Sequence, residues 1–294
     1  MQEFQIIRMK DFSIHQIDKI QRLEYLCKTS DRSSLRVGIE SLKEIDGDEA
    51  YLCQIENQLV GFLSWYTSDG IEANINGMVH PDFRRKGVFI GLLKQALSDM
   101  QLQGIQSCRF RIPSNSESGL DTIRHLGASF TTSEFSMILN RLITDASCRT
   151  DMVLRLENDQ DFEFMVRCSS QAFGDTEAWT RNYFARTREP ERVTYVAKDN
   201  KIPVGMIRVN YVQTDHAVIH NFCVPPSCQG RGYGRAILSE LVKLLLDQKC
   251  SKIRLGVVTE NRRALNLYQS VGFEVSAESH YYMISTSRIS KWLK

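Results

Sequence analysis

With 294 residues the chain has room for two domains of ordinary size, and 42% hydrophobic against 24% charged side chains is the make-up of a soluble globular protein. Its 37 basic and 35 acidic residues leave a net charge of +2, dispersed along the chain, which speaks against a nucleic-acid or membrane-binding protein. Glu3, Arg8, Lys10 and Asp11 interrupt the apolar start and no later run approaches the length of a membrane span, so cytoplasmic residence is the expectation.

In chain order, β-rich runs over Phe4–Arg8, Tyr51–Ile55, Val60–Tyr66 and Ala73–Val79 predict strands, and Val88–Leu102 predicts a helix. A polar stretch over Asp145–Asp151 predicts a domain boundary, dividing the chain into residues 1–146 and 147–294. The second half then predicts a strand at Met152–Leu156, helices at Phe162–Phe173 and Glu177–Thr187, and strands at Val193–Lys198 and Val204–Val212. Asp199, Asn200 and Lys201 suit a hairpin turn between that last pair. A strand at His216–Val224, a glycine turn at Gln229–Gly234 and a helix at Arg235–Leu246 follow, the helix marked by the stripe Ile237, Leu238, Leu241, Leu244 and Leu245. Lys252–Val258 reads as a strand, Asn261–Ser270 as a helix, and Phe273–Val275 and Tyr281–Ser285 as closing strands. The expected class is α+β: two tandem domains, each a central mixed, mostly antiparallel sheet flanked by helices.

The halves repeat. Val79, Pro81, Gly87 and Gly127 recur as Val224, Pro226, Gly232 and Gly272, all at an offset of 145, and Arg84 stands where the second half has Gln229. Eight cysteines contain no Cys-x-x-Cys pair or histidine spacing of the kind zinc sites use, so no metal is expected and reduced thiols are the plain reading. A Cys223–Cys228 disulfide or reactive site is the less favoured alternative.

Two segments carry the chemistry. Val224-Pro-Pro-Ser-Cys-Gln229-Gly-Arg-Gly232-Tyr-Gly234-Arg joins a strand to an amphipathic helix through glycines that let backbone N–H groups face a phosphate. Asn261-Arg-Arg-Ala264-Leu-Asn-Leu-Tyr268-Gln-Ser-Val-Gly272-Phe273 makes a short helix closed by a glycine. In order and context they resemble the pyrophosphate loop and second signature helix of the GNAT superfamily of N-acetyltransferases, over nearly all of residues 151–286.

That resemblance implies acetyl-coenzyme A as cosubstrate. Its pyrophosphate would lie on the loop Gln229, Gly230, Arg231, Gly232, Tyr233 and Gly234, with Arg235 as a charge partner. Its pantetheine arm would run along Phe222, Cys223 and Val224, and Asn261 and Tyr268 would face the coenzyme near its sulfur. The implied reaction is direct attack of a neutral amine on the thioester, with Tyr268 as the acid that protonates the departing thiolate; a phenol of pKa about 10 suits the task. His220 is the candidate base, with Glu260 and His216 as weaker alternatives.

The first half keeps Arg84-Arg-Lys-Gly87-Val-Phe89 but carries Phe89 where the loop's last small residue is common. Ser116, Gly119 and Ile123 stand at the positions of Asn261, Ala264 and Tyr268, and isoleucine has no proton to give. This half is therefore expected to be noncatalytic, a scaffold in preference to a coenzyme site or a wall of the acceptor pocket. The expected partner is a small-molecule amine and not a nucleic acid or membrane; a protein acceptor or a noncatalytic coenzyme A-binding regulator are the alternatives. Oligomeric state is open between an internal pseudo-dimer and symmetric association.

Overall fold

The computed structural model describes residues 4–44, 48–143 and 152–293. Contacts divide the chain into two compact units, one of Met1–Glu134 with Ala277–Lys294 and the other of Phe135–Ser276. The expected boundary stretch, residues 145–151, lies outside the described residues. The division departs from a single cut at 146, because each unit takes in part of a long strand that closes the other half of the sequence.

In the first unit β1 (Gln5–Arg8), α1 (Ile14–Asp31), β2 (Glu49–Ile55), β3 (Gln58–Tyr66), β4 (Glu72–Val79), α2 (Val88–Leu102), β5 (Ser107–Pro113), α3 (Glu117–Leu126) and the start of β6 (Ser129–Leu139) follow in order. Strands β1 to β4 pair antiparallel, and β5 joins β4 in parallel. Alternation sorts β2 onto two faces: Tyr51 and Cys53 pack with Leu92, Leu93 and Met100 of α2, whereas Ala50 and Leu52 pack with Ile20, Leu23 and Cys27 of α1. Helix α1 starts where the Ser13 side chain accepts the Gln16 N–H, and ends at Arg32 in the left-handed region.

The second unit repeats the plan with β7 (Met152–Leu156), α4 (Phe162–Phe173), α5 (Glu177–Arg186), β8 (Arg192–Asp199), β9 (Ile202–Gln213), β10 (His216–Cys223), α6 (Tyr233–Asp247), β11 (Lys252–Val258), α7 (Arg262–Val271) and the start of β12 (Phe273–Ser285). Strands β7 to β10 are antiparallel and β11 is parallel to β10. Helix α6 buries Ile237, Leu238, Leu241 and Leu245 of the expected stripe against one sheet face, and α4 and α5 cover Val196, Met206 and Cys223 on the other. The hairpin turn forms as expected, with Asn200 and Lys201 at φ 48 and 70, the left-handed pair that a tight two-residue turn requires.

The two closing strands expected at Phe273–Val275 and Tyr281–Ser285 are one strand, β12, continuous through the polar residues Ser276, Glu278 and Ser279. Its last part, Ser279–Ser285, pairs with β5 inside the first unit, and α8 (Thr286–Trp292) ends that unit. Polar residues break a hydrophobic pattern without breaking a ladder whose hydrogen bonds come from the backbone. Among the described residues no helix is long and apolar enough to cross a membrane, and no group of three or more metal-type ligands is assembled.

Candidate functional site

In the second unit the loop between β10 and α6 starts with a single turn at Pro226–Cys228, then places Gly230 at φ 73 and Gly232 at φ 85 as the N-cap of α6. Alternating handedness of this kind turns successive N–H groups toward one point, at the positive end of a 15-residue helix, which is where a phosphate binds. Gln229 fastens the loop to the strand: its Nε2 donates to the Val224 carbonyl at 3.0 Å, and its Oε1 accepts from Arg263 at 3.2 Å. Tyr233 contributes only backbone to the loop, because its ring is buried and its hydroxyl donates to Asp199. Arg231 lies over the Tyr233 ring at 5.5 Å, and Arg235 is held by Ser270 at 3.1 Å.

Beyond Ile219↔Leu255 the parallel ladder of β10 and β11 stops, although both strands continue, to Cys223 and Val258. The segment Phe222, Cys223 and Val224 thus presents backbone groups that β11 does not take up, a slot for an extended arm that pairs as an added strand would. On its other side β10 is bulged. His220 stands opposite Arg208 but Cys223 stands opposite Met206, so β10 carries one residue more than β9, and Asn221 sits at φ 48. The Ser169 hydroxyl on α4 donates to the Asn221 side chain at 3.2 Å and steadies the kink.

Tyr268 reaches this bulge from α7. Its ring packs against Phe222 and Phe273, each with centroids 6.4 Å away, and the residue is 9% exposed. Burial, with a smaller contribution from the nearby Cys223, pushes its hydroxyl up to about 12, so it stays protonated at neutral pH. Asn261 is the N-cap of α7, its Oδ1 accepting from the Ala264 N–H at 3.1 Å, which leaves the amide Nδ2 to point elsewhere. Gly272 closes the helix at φ 108, and a Cβ there would lie 1.8 Å from the Arg141 carbonyl oxygen. Only glycine fits.

His220 has an environment that sequence did not foresee. Burial, then Arg208 and Arg192, push its imidazole down to about 3, and Nε2 has no hydrogen-bond partner among the described residues. A proton placed on it would be shed far below neutral pH, which makes it a weak base for an ammonium ion. Cys223 is not bonded to Cys228: its sulfur lies 3.4 Å from Cys168 on α4, and that contact together with burial raises the thiol well above its usual range. Reduced thiols are what the described cysteines are; Cys148 lies outside the described residues.

The first unit preserves the loop and loses the rest. Arg85 at φ 58 and Gly87 at φ 86 repeat the backbone of Gly230 and Gly232, and Arg84 holds the Val79 carbonyl at 3.1 Å as Gln229 holds Val224. The β4–β5 ladder also stops early, at Ile75↔Phe110, and a cavity of about 900 Å³ opens among Met78, Gly87, Phe110 and Ile123. But β4 pairs with β3 in unbroken register from Asn74 to Val79, with no bulge. A pair of residues has also changed places. Phe222 and Gly234 of the second unit correspond to Gly77 and Phe89, and the Phe89 ring lies 3.1 Å from where a side chain on Gly77 would begin.

Residues 153–273 match the model of the Acetyltransferase (GNAT) family. That stretch, most of the second unit, is a GNAT-family domain. It is 41% identical over 82 residues to the N-alpha-acetyltransferase RimI of Mycobacterium tuberculosis, covering 28% of this chain and 50% of that protein. Across 96% of both chains it superposes on a GCN5-related N-acetyltransferase of Sphaerobacter thermophilus with a TM-score of 0.77 at 19% identity. A tandem GNAT protein from the clavulanic acid biosynthesis pathway superposes over 97% of this chain and 99% of that one, with a TM-score of 0.71 at 14% identity. The chain thus carries two GNAT-like folds in tandem and is an acyltransferase, with a fold that implies the use of acetyl-CoA.

Sequence reasoning missed Asn221 and Cys168, and took no account of Arg208. A charge inside the apolar run Met206-Ile207-Arg208-Val209 was the available signal for the last. The signal for Asn221 was numerical: Asn57 and Lys201 are 144 apart, as are Gly61 and Gly205, whereas Val79 and Val224 are 145 apart. The extra residue between them is the bulge.

Proposed function

We propose that the second unit transfers the acetyl group of acetyl-CoA to a primary amine of a small molecule, and that the first unit does no chemistry. The observation that carries this reading is the meeting of Tyr268 with the bulged, unladdered end of β10, a pairing the first unit lacks. The loop from Gln229 to Gly234, with Arg235 beside it, suits the pyrophosphate; Phe222 to Val224 suits the pantetheine arm, and Asn261 borders its end.

The amine nitrogen attacks the acetyl carbonyl, the carbon–sulfur bond breaks, and Tyr268 gives its proton to the departing thiolate. A backbone N–H freed by the kink at Asn221 supports the developing oxyanion. With His220 so far below neutral, the amine arrives already neutral and the proton it sheds after attack goes to water. Likeness to RimI, an N-alpha-acetyltransferase, favours a protein N-terminus as the second reading.

Replacing Tyr268 by Phe tests the assignment: turnover should fall roughly 10²- to 10⁴-fold while calorimetry finds acetyl-CoA affinity preserved. Unchanged turnover would remove Tyr268 from the reaction. Transfer to a peptide N-terminus but to no small amine would select the second reading.

A further inference from the structure

Arg208 lies in the middle of β9 and is 3% exposed. Its two terminal nitrogens donate to Thr187 Oγ1 and the Thr187 carbonyl at 3.1 and 3.2 Å, and the Tyr183 and Phe184 rings flank it at 5.6 and 5.0 Å. Its Nε finds no acceptor. Among the described residues no carboxylate comes within ion-pair distance; Glu157 and Glu189 act on it only from farther away. A buried guanidinium held by two neutral oxygens and two aromatic rings, with no carboxylate in contact, is costly to keep. Groups of this kind cluster at functional sites, where a ligand can supply the missing charge.

The neighbours point the same way. His220 is paired with Arg208 across the ladder, on the same sheet face, and its Nε2 is also buried without a partner. Arg192, on the adjoining strand, has a third buried Nε without an acceptor. The first unit supplies the control. At the equivalent places, 144 residues earlier, stand Ser64 and Asn76, themselves cross-strand partners, and the Ser64 hydroxyl is satisfied by the Val37 carbonyl at 3.3 Å. The unit without the acid and the bulge therefore lacks the charge as well.

We propose that Arg208 and His220 form an anion-binding subsite, so that the amine acceptor of the second unit carries a carboxylate. This rests on the transferase reading given above. Thr187 Oγ1 and the Thr187 carbonyl each accept from one terminal nitrogen of Arg208, and a carboxylate taking their place would keep both hydrogen bonds and add the charge. Neutral His220 donates from Nε2 to the same group. Only the bulged Asn221 separates His220 from Phe222, so the subsite would lie beside the segment proposed for the pantetheine arm.

The test uses pairs of acceptors that share an amine and differ in bearing a carboxylate or a carboxamide, compared per neutral amine so that their own pKa values drop out. The proteins are wild type, Arg208→Gln, Arg208→Lys and His220→Asn, with acetyl-CoA affinity measured by calorimetry on each. Wild type should favour the carboxylate roughly tenfold to a hundredfold in kcat/KM. Arg208→Gln should erase that preference through KM with acetyl-CoA affinity kept within about twofold, and Arg208→Lys should restore part of it.

A purely structural Arg208, serving only to tie down the end of α5, would lower kcat for both members of each pair and leave the preference intact, which would overturn the proposal. If Arg208→Gln fails to fold, the wild-type comparison and His220→Asn decide: no carboxylate preference in wild type, or one untouched by His220→Asn, overturns it. Transfer to amines without that preference leaves the transferase reading standing and removes the subsite alone. Acetyl-CoA binding without transfer to any amine would remove the transferase reading and this proposal with it.

Discussion

The two units are built on one plan and differ most clearly where the strand before the loop ends and in what the last helix brings to it. Both keep the left-handed loop, Arg85 and Gly87 in the first and Gly230 and Gly232 in the second, and both stop their parallel ladder after four residue pairs. Only β10 then inserts an extra residue, and only α7 brings a phenol to it, whereas β4 runs straight and α3 brings Ile123. The retained features are those that make a helix N-terminus and a strand end cohere. The features in which the units differ, the bulge and the phenol, are those to which the proposed function assigns the oxyanion and the leaving thiolate. In the first unit the Phe89 ring occupies the space beside Gly77 that the second unit leaves to Phe222.

This contrast can be broken at several points. The largest expected effect is that of Tyr268→Phe, since it removes the feature that most separates α7 from α3; turnover of the pure variant checks it, and an unchanged rate would erase the distinction. Next is acid stability. Because the folded state holds His220 at about 3, below its ordinary value near 6.5, the unfolded chain binds the extra proton between those values and stability falls as pH drops through that window. Urea unfolding of wild type against His220→Gln should show a difference on the order of 3 kcal/mol in pH-dependent loss, confined to acid.

The helix ends give a paired effect, no larger than that one. Gly272→Ala meets the Arg141 carbonyl as well as a disfavoured backbone angle and should cost about 3 kcal/mol by urea unfolding. Gly127→Ala, at φ 68, meets only the movable Arg288 side chain and should cost about 1 kcal/mol. Equal costs would mean that α7 is not closed as described. The smallest effect is a null. Ile123→Tyr restores a phenol to the first unit but not the bulge, so a protein also carrying Tyr268→Phe should regain no transfer activity; recovery would show that the bulge is dispensable.

Much of this was legible because it is local. Glycines before α6, the apolar stripe of α6 and the Asn261 to Gly272 helix are set by neighbours a few residues apart, and the structure agrees with each. Helix α1 escaped because only Gln16, Ile20, Leu23 and Cys27 of its 18 residues are buried, too thin a stripe to register. Continuity of β12 through Ser276 to Ser279 and the approach of Cys168 to Cys223 depend on partners over 50 residues away. The surroundings of His220 were hidden for the same reason: its strand position was readable, but Arg208 and Arg192 beside it come from other strands.

The central claim, that chemistry resides in the second unit, is most directly tested by measuring acetyl transfer in Gly232→Asp and Gly87→Asp. Each places a negative charge where phosphate would bind, at matched φ of 85 and 86 and with open space for the new side chain, so both proteins should fold. Loss of transfer in Gly232→Asp with near wild-type rates in Gly87→Asp is the expected result. Equal losses in both, or a loss in Gly87→Asp alone, would contradict it.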